Sequence, residues 1–176
     1  MLVAAVAVGA LAASAVVAQP SKLRVTMVKA NGNEIGNVRM SETRFGTIDI
    51  EARLRGLEPG FHGFHVHAVG RCERPDFKSA EGHVGEAEGE DHAQHPGDLS
   101  SLLVKRNGTV TLRVTTDRFS LDDLRDQDGS AVMVHSGADN FANIPERYAP
   151  AGPDETTLET GDAGTRVACG EVAPGD

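Results

Sequence analysis

The chain has 176 residues, 39% hydrophobic and 24% charged, with 20 Gly, 8 Pro, 2 Cys and no Trp, which fits one globular domain. Two cysteines exclude a disulfide-dense miniprotein, the glycine and proline content excludes a coiled coil, and the apolar fraction excludes a disordered chain. A formal net charge of −9, from 26 acidic against 17 basic residues, argues against nucleic acid as a partner, because phosphates need a basic stripe.

Residues 1–18, MLVAAVAVGALAASAVVA, are free of charge and end in Val16-Val17-Ala18 before Gln19-Pro20, the small-residue pattern of a signal cleavage site. They read as a secretory signal peptide that lacks the usual basic opening, with retention as an anchor the other reading. Residues 19–176 then form a single exported domain, in the periplasm, the cell envelope or outside the cell. Export leaves two fates for Cys72 and Cys169: a bridge, or two buried thiols. A bridge closing ~100 residues stabilises by roughly 4–5 kcal/mol in the chain-entropy model.

Beyond this segment the pattern is one of short strands. Leu23 to Val28 and Ile35 to Met40 flank Asn31-Gly32-Asn33, a hairpin signal. Thr47 to Arg55 alternates strictly, as a strand with one wet and one buried face does. Gly63 to His67 follows, then Leu102-Leu103-Val104 and Val110 to Val114 around Asn107-Gly108, then Ser130 to His135 and Arg166 to Val172. Eight strands with glycine-rich turns predict an all-β fold, an eight-stranded antiparallel Greek-key barrel or sandwich. Only Ser120 to Leu124 reads as a helical turn, with Ser120 able to cap it. Two stretches, residues 70–98 and 136–165, resist the strand pattern, and loops of that length inside a compact domain are usually functional.

The histidines concentrate the chemistry. In Gly60-Phe61-His62-Gly63-Phe64-His65-Val66-His67, residues two apart share a face, so His65 and His67 point together while Phe64 and Val66 turn to the core. That puts both imidazoles on the outer face, where a metal is solvated unless a loop covers it. His62 has the parity of Phe64 and reads as a packed, hydrogen-bonded residue. The first long loop adds His83, His92, His95 and Asp98, and His135 ends a strand. Imidazoles suit copper and zinc, and a carboxylate among them suits zinc.

HGFHVH at residues 62–67, HPGDL at 95–99, VHSGADN at 134–140 and GDAGTRVACG at 161–170 together resemble copper,zinc superoxide dismutase, from about residue 21 to 173. The wording of the second loop is similar to that of exported enzymes of actinobacteria. The resemblance implies copper held by His65, His67, His83 and His135, with His83 shared between copper and zinc. It implies zinc completed by His92, His95 and Asp98, a carboxylate at Asp139 that orients ligands of both metals, and a Cys72–Cys169 disulfide. Arg166 and His83 fall on the catalytic positions: Arg166 attracts superoxide, and His83 supplies a proton. A homodimer and a monomer are both known among bacterial relatives.

Two departures stand out. His95 follows His92 by only three positions, where better-known members place a longer segment, so copper alone and copper with zinc are both open outcomes. No lysine follows Lys105, and Glu159 stands where animal relatives carry a steering lysine, which leaves attraction of the anion to Arg166 and the metal. The competing readings are a copper-holding storage or delivery protein without dismutase activity, which has no need of Arg166, and a zinc hydrolase. The hydrolase needs a general base beside an open zinc position, and none stands out.

Overall fold

The structure is a computed structural model that describes residues 22–86 and 91–175. The signal segment read at residues 1–18 lies outside the described residues. Within them the chain forms β1 (Lys22–Lys29), β2 (Glu34–Glu42), β3 (Ile48–Arg55), β4 (Gly60–His62), β5 (Phe64–His67), β6 (Leu102–Val104), β7 (Thr109–Thr116), β8 (Ser130–His135), α1 (Glu155–Thr160) and β9 (Arg166–Val172). The eight anticipated strands are all present. The ninth, β4, separates from β5 at Gly63, whose backbone leaves the strand pairing to exchange hydrogen bonds with Gly137 and His135.

Seven strands form one antiparallel sheet in the order β5-β8-β9-β1-β2-β3-β7, curled into a half-barrel. Its two edges, β5 and β7, connect through the small β4-β6 sheet. The chain runs from β4 directly into β5, and from β6 into β7 through the Asn107-Gly108 turn. Gly108 has a φ of 75°, the left-handed conformation that such hairpin turns require. The alternation read in β3 holds: Ile48, Ile50, Ala52 and Leu54 are buried, and Asp49, Arg53 and Arg55 are exposed. Inward residues of every strand but β4, among them Met27, Val38, Met40, Phe64, Leu102 and Val132, make one interior cluster. Each large side chain buried there contributes roughly 1.5–3 kcal/mol.

The two long stretches fold back onto the sheet. Ser120 and Asp123 exchange side-chain to backbone hydrogen bonds around the anticipated helical turn, which is a 3-10 turn at Asp123–Arg125. The second stretch holds a helix that the strand-based reading leaves as loop. In α1 the Asp154 carboxylate accepts from the Thr157 N–H at 2.9 Å, and Gly161 ends the helix with a φ of 58°.

The first stretch docks on the outer face of β8 and β9. Phe77 and Ala80 pack there against Ala131, Met133 and Cys169, with Cys72 alongside. Cys72 and Cys169 form a disulfide spanning 97 residues, with a Cα–Cα distance of 5.8 Å. Replacing both cysteines by serine is expected to lower the unfolding free energy of the metal-free protein by ~4–5 kcal/mol. Urea unfolding in the presence of a chelator measures it. A loss under ~1 kcal/mol means that the Phe77 cluster alone holds the loop.

Candidate metal centre

β5 has one free edge, and the first long loop takes it. The Val66 N–H donates to the Gly97 carbonyl at 2.9 Å, and the Val84 N–H donates to the Val66 carbonyl at 2.9 Å. Isolated bridges consequently set His83 opposite His67 and Asp98 opposite His65. Gly97 makes this approach feasible, because a Cβ there would collide with the Val66 carbonyl oxygen. His135 enters from β8, whose pairing with β9 shifts by one residue between Val134 and His135. That bulge sets His135 directly across from Arg166.

The covering loop settles the condition attached to the strand parity. His65 and His67 do point away from the core, yet they are 0% and 1% exposed. His62 is buried as anticipated, with Nδ1 2.6 Å from the His135 carbonyl and Nε2 2.8 Å from the Glu58 carbonyl.

Two groups of four side chains result. His65, His67, His83 and His135 place ligand atoms within 4.8 Å of one another, and so do His83, His92, His95 and Asp98. His83 belongs to both. Its Nδ1 lies 2.7 Å from Asp98 Oδ1 and 3.4 Å from His95 Nδ1, which leaves Nε2 for the other group. The short spacing between His92 and His95 does not keep His92 away, since its Nδ1 comes within 3.2 Å of Asp98 Oδ1.

The nitrogens that face inward are those a metal needs. His65 Nδ1, His67 Nε2, His92 Nδ1 and His135 Nε2 are buried without a hydrogen-bond partner. A buried polar atom left unpaired costs ~1–3 kcal/mol, so four in one place call for an occupant. The opposite nitrogens are all fixed. His67 Nδ1 donates to the Glu81 carbonyl at 2.7 Å, and His135 Nδ1 donates to the Gly164 carbonyl at 3.1 Å. Asp139 spans the two groups, with Oδ2 2.7 Å from His65 Nε2 and both oxygens 2.9 Å from His92 Nε2. Each ring that donates one N–H outward presents its other lone pair inward, so the residues would fit two cations, one in each group, with His83 common to both groups.

Electrostatics separates the groups. Burial pushes His65 down to about 4, in spite of the Asp139 carboxylate, and His135 down to about 3. Burial also holds His67 well below its ordinary value, so these three rings are neutral imidazoles at neutral pH, the form that could ligate a metal. For His92 burial acts in the same direction, but the Asp139 and Asp98 carboxylates outweigh it and raise the ring to about 9. Asp98 and Asp139 would be raised by burial, yet the imidazoles they face hold both well below the carboxylate range.

Arg166 is half-buried beside the first group. Its Nη1 donates to the Phe77 carbonyl at 2.8 Å and its Nη2 to the Glu81 carbonyl at 2.7 Å. The groove above it has a volume of about 500 Å³ and is lined by His67, His83, His135, Arg166, Glu86 and Glu159, among others. Sequence reasoning missed the carbonyls of Phe77, Glu81 and Gly164, because a backbone acceptor has no residue signature. It also missed Glu86, whose carboxylate accepts from the His83 N–H at 2.9 Å. For α1 there was a signal: Asp154 as an N-cap, with Gly161 seven residues on.

An all-β half-barrel that carries a buried histidine cluster on its outer face is a metalloprotein scaffold. The chain belongs to the copper/zinc superoxide dismutase family, whose model matches residues 34–172. The copper–zinc superoxide dismutase of Mycolicibacterium paratuberculosis is 41% identical over 184 residues, covering 95% of this chain and 81% of that one. The copper–zinc superoxide dismutase of Escherichia coli strain K12 is 36% identical over 187 residues, covering 98% of this chain and 95% of its own. Among solved structures, the Cu/Zn superoxide dismutase of Brucella abortus is 28% identical with a TM-score of 0.66, over 86% of this chain and 99% of that one.

Proposed function

We propose that this chain is an exported superoxide dismutase that holds copper at His65, His67, His83 and His135 and zinc at His83, His92, His95 and Asp98. The observation that carries the residue assignment is the set of buried ring nitrogens without a hydrogen bond, His65 Nδ1, His67 Nε2 and His135 Nε2 in the group beside Arg166 and His92 Nδ1 in the other. Copper, when bound, supplies one-electron exchange, so that two superoxide anions and two protons leave as O2 and H2O2. Arg166 draws the anion into the groove, and its fixed guanidinium orients it. His83 Nε2 holds and gives a proton at the substrate end while its Nδ1 stays on the zinc side. Asp139 fixes the rings of His65 and His92 together, which couples the geometry of the two groups.

Arg166 also separates this reading from copper storage or delivery, where a guanidinium fixed beside the metal has no task. The disulfide suits an oxidising compartment, which supports export. The test is metal analysis of purified protein after loading with copper and zinc, with superoxide consumption measured on the same samples. One copper and one zinc per chain with rapid consumption is expected. Bound copper without consumption rejects the dismutase reading in favour of storage. Full activity at one copper and no zinc rejects the zinc assignment.

A further inference from the structure

Charge is distributed unevenly over this acidic protein. The outer face of β1, β2, β3 and β7 presents Lys22, Arg24, Arg39, Arg53, Arg55 and Arg113 against only Glu34, Asp49 and Glu51, in a chain of net charge −9. Part of the opposition is already spent, since Glu51 lies between Arg53 Nη2 at 2.8 Å and Arg113 Nη2 at 2.6 Å, whereas Asp49, which accepts from the Thr115 hydroxyl at 2.7 Å, keeps its charge. Arg24 and Arg39, paired across β1 and β2, make no ion pair among the described residues. At the end of the sheet where β1 begins, Lys22 pairs with Ser41 and Ser41 with Asp49. The β2–β3 turn is therefore at that same end. It carries Phe45, 77% exposed, with the Arg44 guanidinium 4.7 Å from its ring centroid.

We propose that this end of the basic face, with Lys22, Arg24, Arg39, Arg44 and Phe45, docks on a bilayer surface rich in anionic lipid headgroups. The complement to four cations is a dense anionic layer, and an exposed aromatic beside an arginine suits the boundary between headgroups and acyl chains. The exposed aromatic packed on an arginine selects a bilayer over a soluble acidic polymer, because only a bilayer offers an apolar layer beneath its charged surface. A polyanion has no use for Phe45. The histidine cluster lies on β5 and β8, at the far edge of the sheet from β2 and β3, so docking leaves the groove over Arg166 open. The inference concerns the binding of the purified protein and does not depend on the dismutase reading.

The experiment compares co-sedimentation with vesicles of phosphatidylcholine alone and of phosphatidylcholine containing about one third phosphatidylglycerol, at low and high salt. All samples are the exported domain, residues 19–176, so dependence on the anionic lipid is what is read. Wild type is expected to prefer the anionic vesicles and to lose that preference in high salt. The variant Arg24→Gln, Arg39→Gln, Arg44→Gln is expected to bind them about a hundredfold more weakly, at roughly fivefold per charge removed. Phe45→Ser is expected to weaken binding further, while metal content and superoxide consumption in solution stay unchanged in every variant. Equal binding to both vesicle types, or an unaffected triple variant, overturns the proposal. Retention by dextran sulfate with no vesicle binding overturns it in favour of a polymer. A change of oligomeric state in the triple variant without vesicle binding overturns it in favour of self-association.

Discussion

Replacing His83 by alanine is expected to deplete copper and zinc together, whereas His95→Ala should cost zinc alone. His83 is the one imidazole shared by both four-residue groups, and its Nδ1 already sits 2.7 Å from Asp98 Oδ1. Removing it takes one donor from each group. Loss of a residue that merely orients a ligand costs 10–100-fold in metal affinity, so loss of the ligand itself should cost at least ~100-fold for each metal. Superoxide consumption should fall by a similar factor or more, since copper and the proton carried at His83 go together. His95 is confined to the second group, so His95→Ala should retain copper. The measurement is copper and zinc per chain at limiting metal, with unfolding in chelator as a check that the barrel persists. Zinc content unchanged in His83→Ala would mean that the ring does not bridge.

Much of this site was legible in the sequence because strand periodicity is rigid. Once Phe64 and Val66 are assigned inward, His65 and His67 have no other direction, and the structure keeps both pairs where parity puts them. Parity says nothing of what lies above a face. The burial of those rings comes from residues 83–98 pairing with the free edge of β5, a contact between segments remote in sequence. The spacing between His92 and His95 left the placement of His92 open for a related reason. Intervals along a chain measure reach only when the path is known, and here the Leu158 carbonyl from α1 accepts the His92 N–H and pulls the loop inward. Gly161 lets α1 end directly beside this site, where a Cβ would collide with Asp139 and His92. The ninth strand was missed because three residues, Gly60–His62, carry too little pattern to stand apart from β5.

The net charge of −9, at odds with an anionic substrate, bears on the effect of removing Arg166. Arg166→Ala is expected to lower the rate constant for superoxide by ~10–100-fold while copper stays bound, since no hydrogen bond runs from this guanidinium to the four imidazoles. Arg166→Lys should restore only part of the loss. Two carbonyls, of Phe77 and Glu81, are held by two arms of one planar fork, and a single ammonium on a flexible stem cannot reproduce that hold while facing the groove. Salt supplies the discriminating readout. Two unit charges ~10 Å apart in water interact by only ~0.4 kcal/mol, and the carboxylates of Glu81, Glu86, Glu159 and Asp162 line the groove together with the arginine. With Arg166 present the rate should therefore fall weakly with ionic strength. With alanine in its place, the balance at the groove shifts from the arginine toward the carboxylates of Glu81, Glu86, Glu159 and Asp162, and screening these over a Debye length of ~10 Å should cancel or reverse the fall of the rate with salt. A parallel salt response in the two proteins, or equal rates, would remove Arg166 from the attraction of substrate and leave it as a clamp on the loop that covers the histidines.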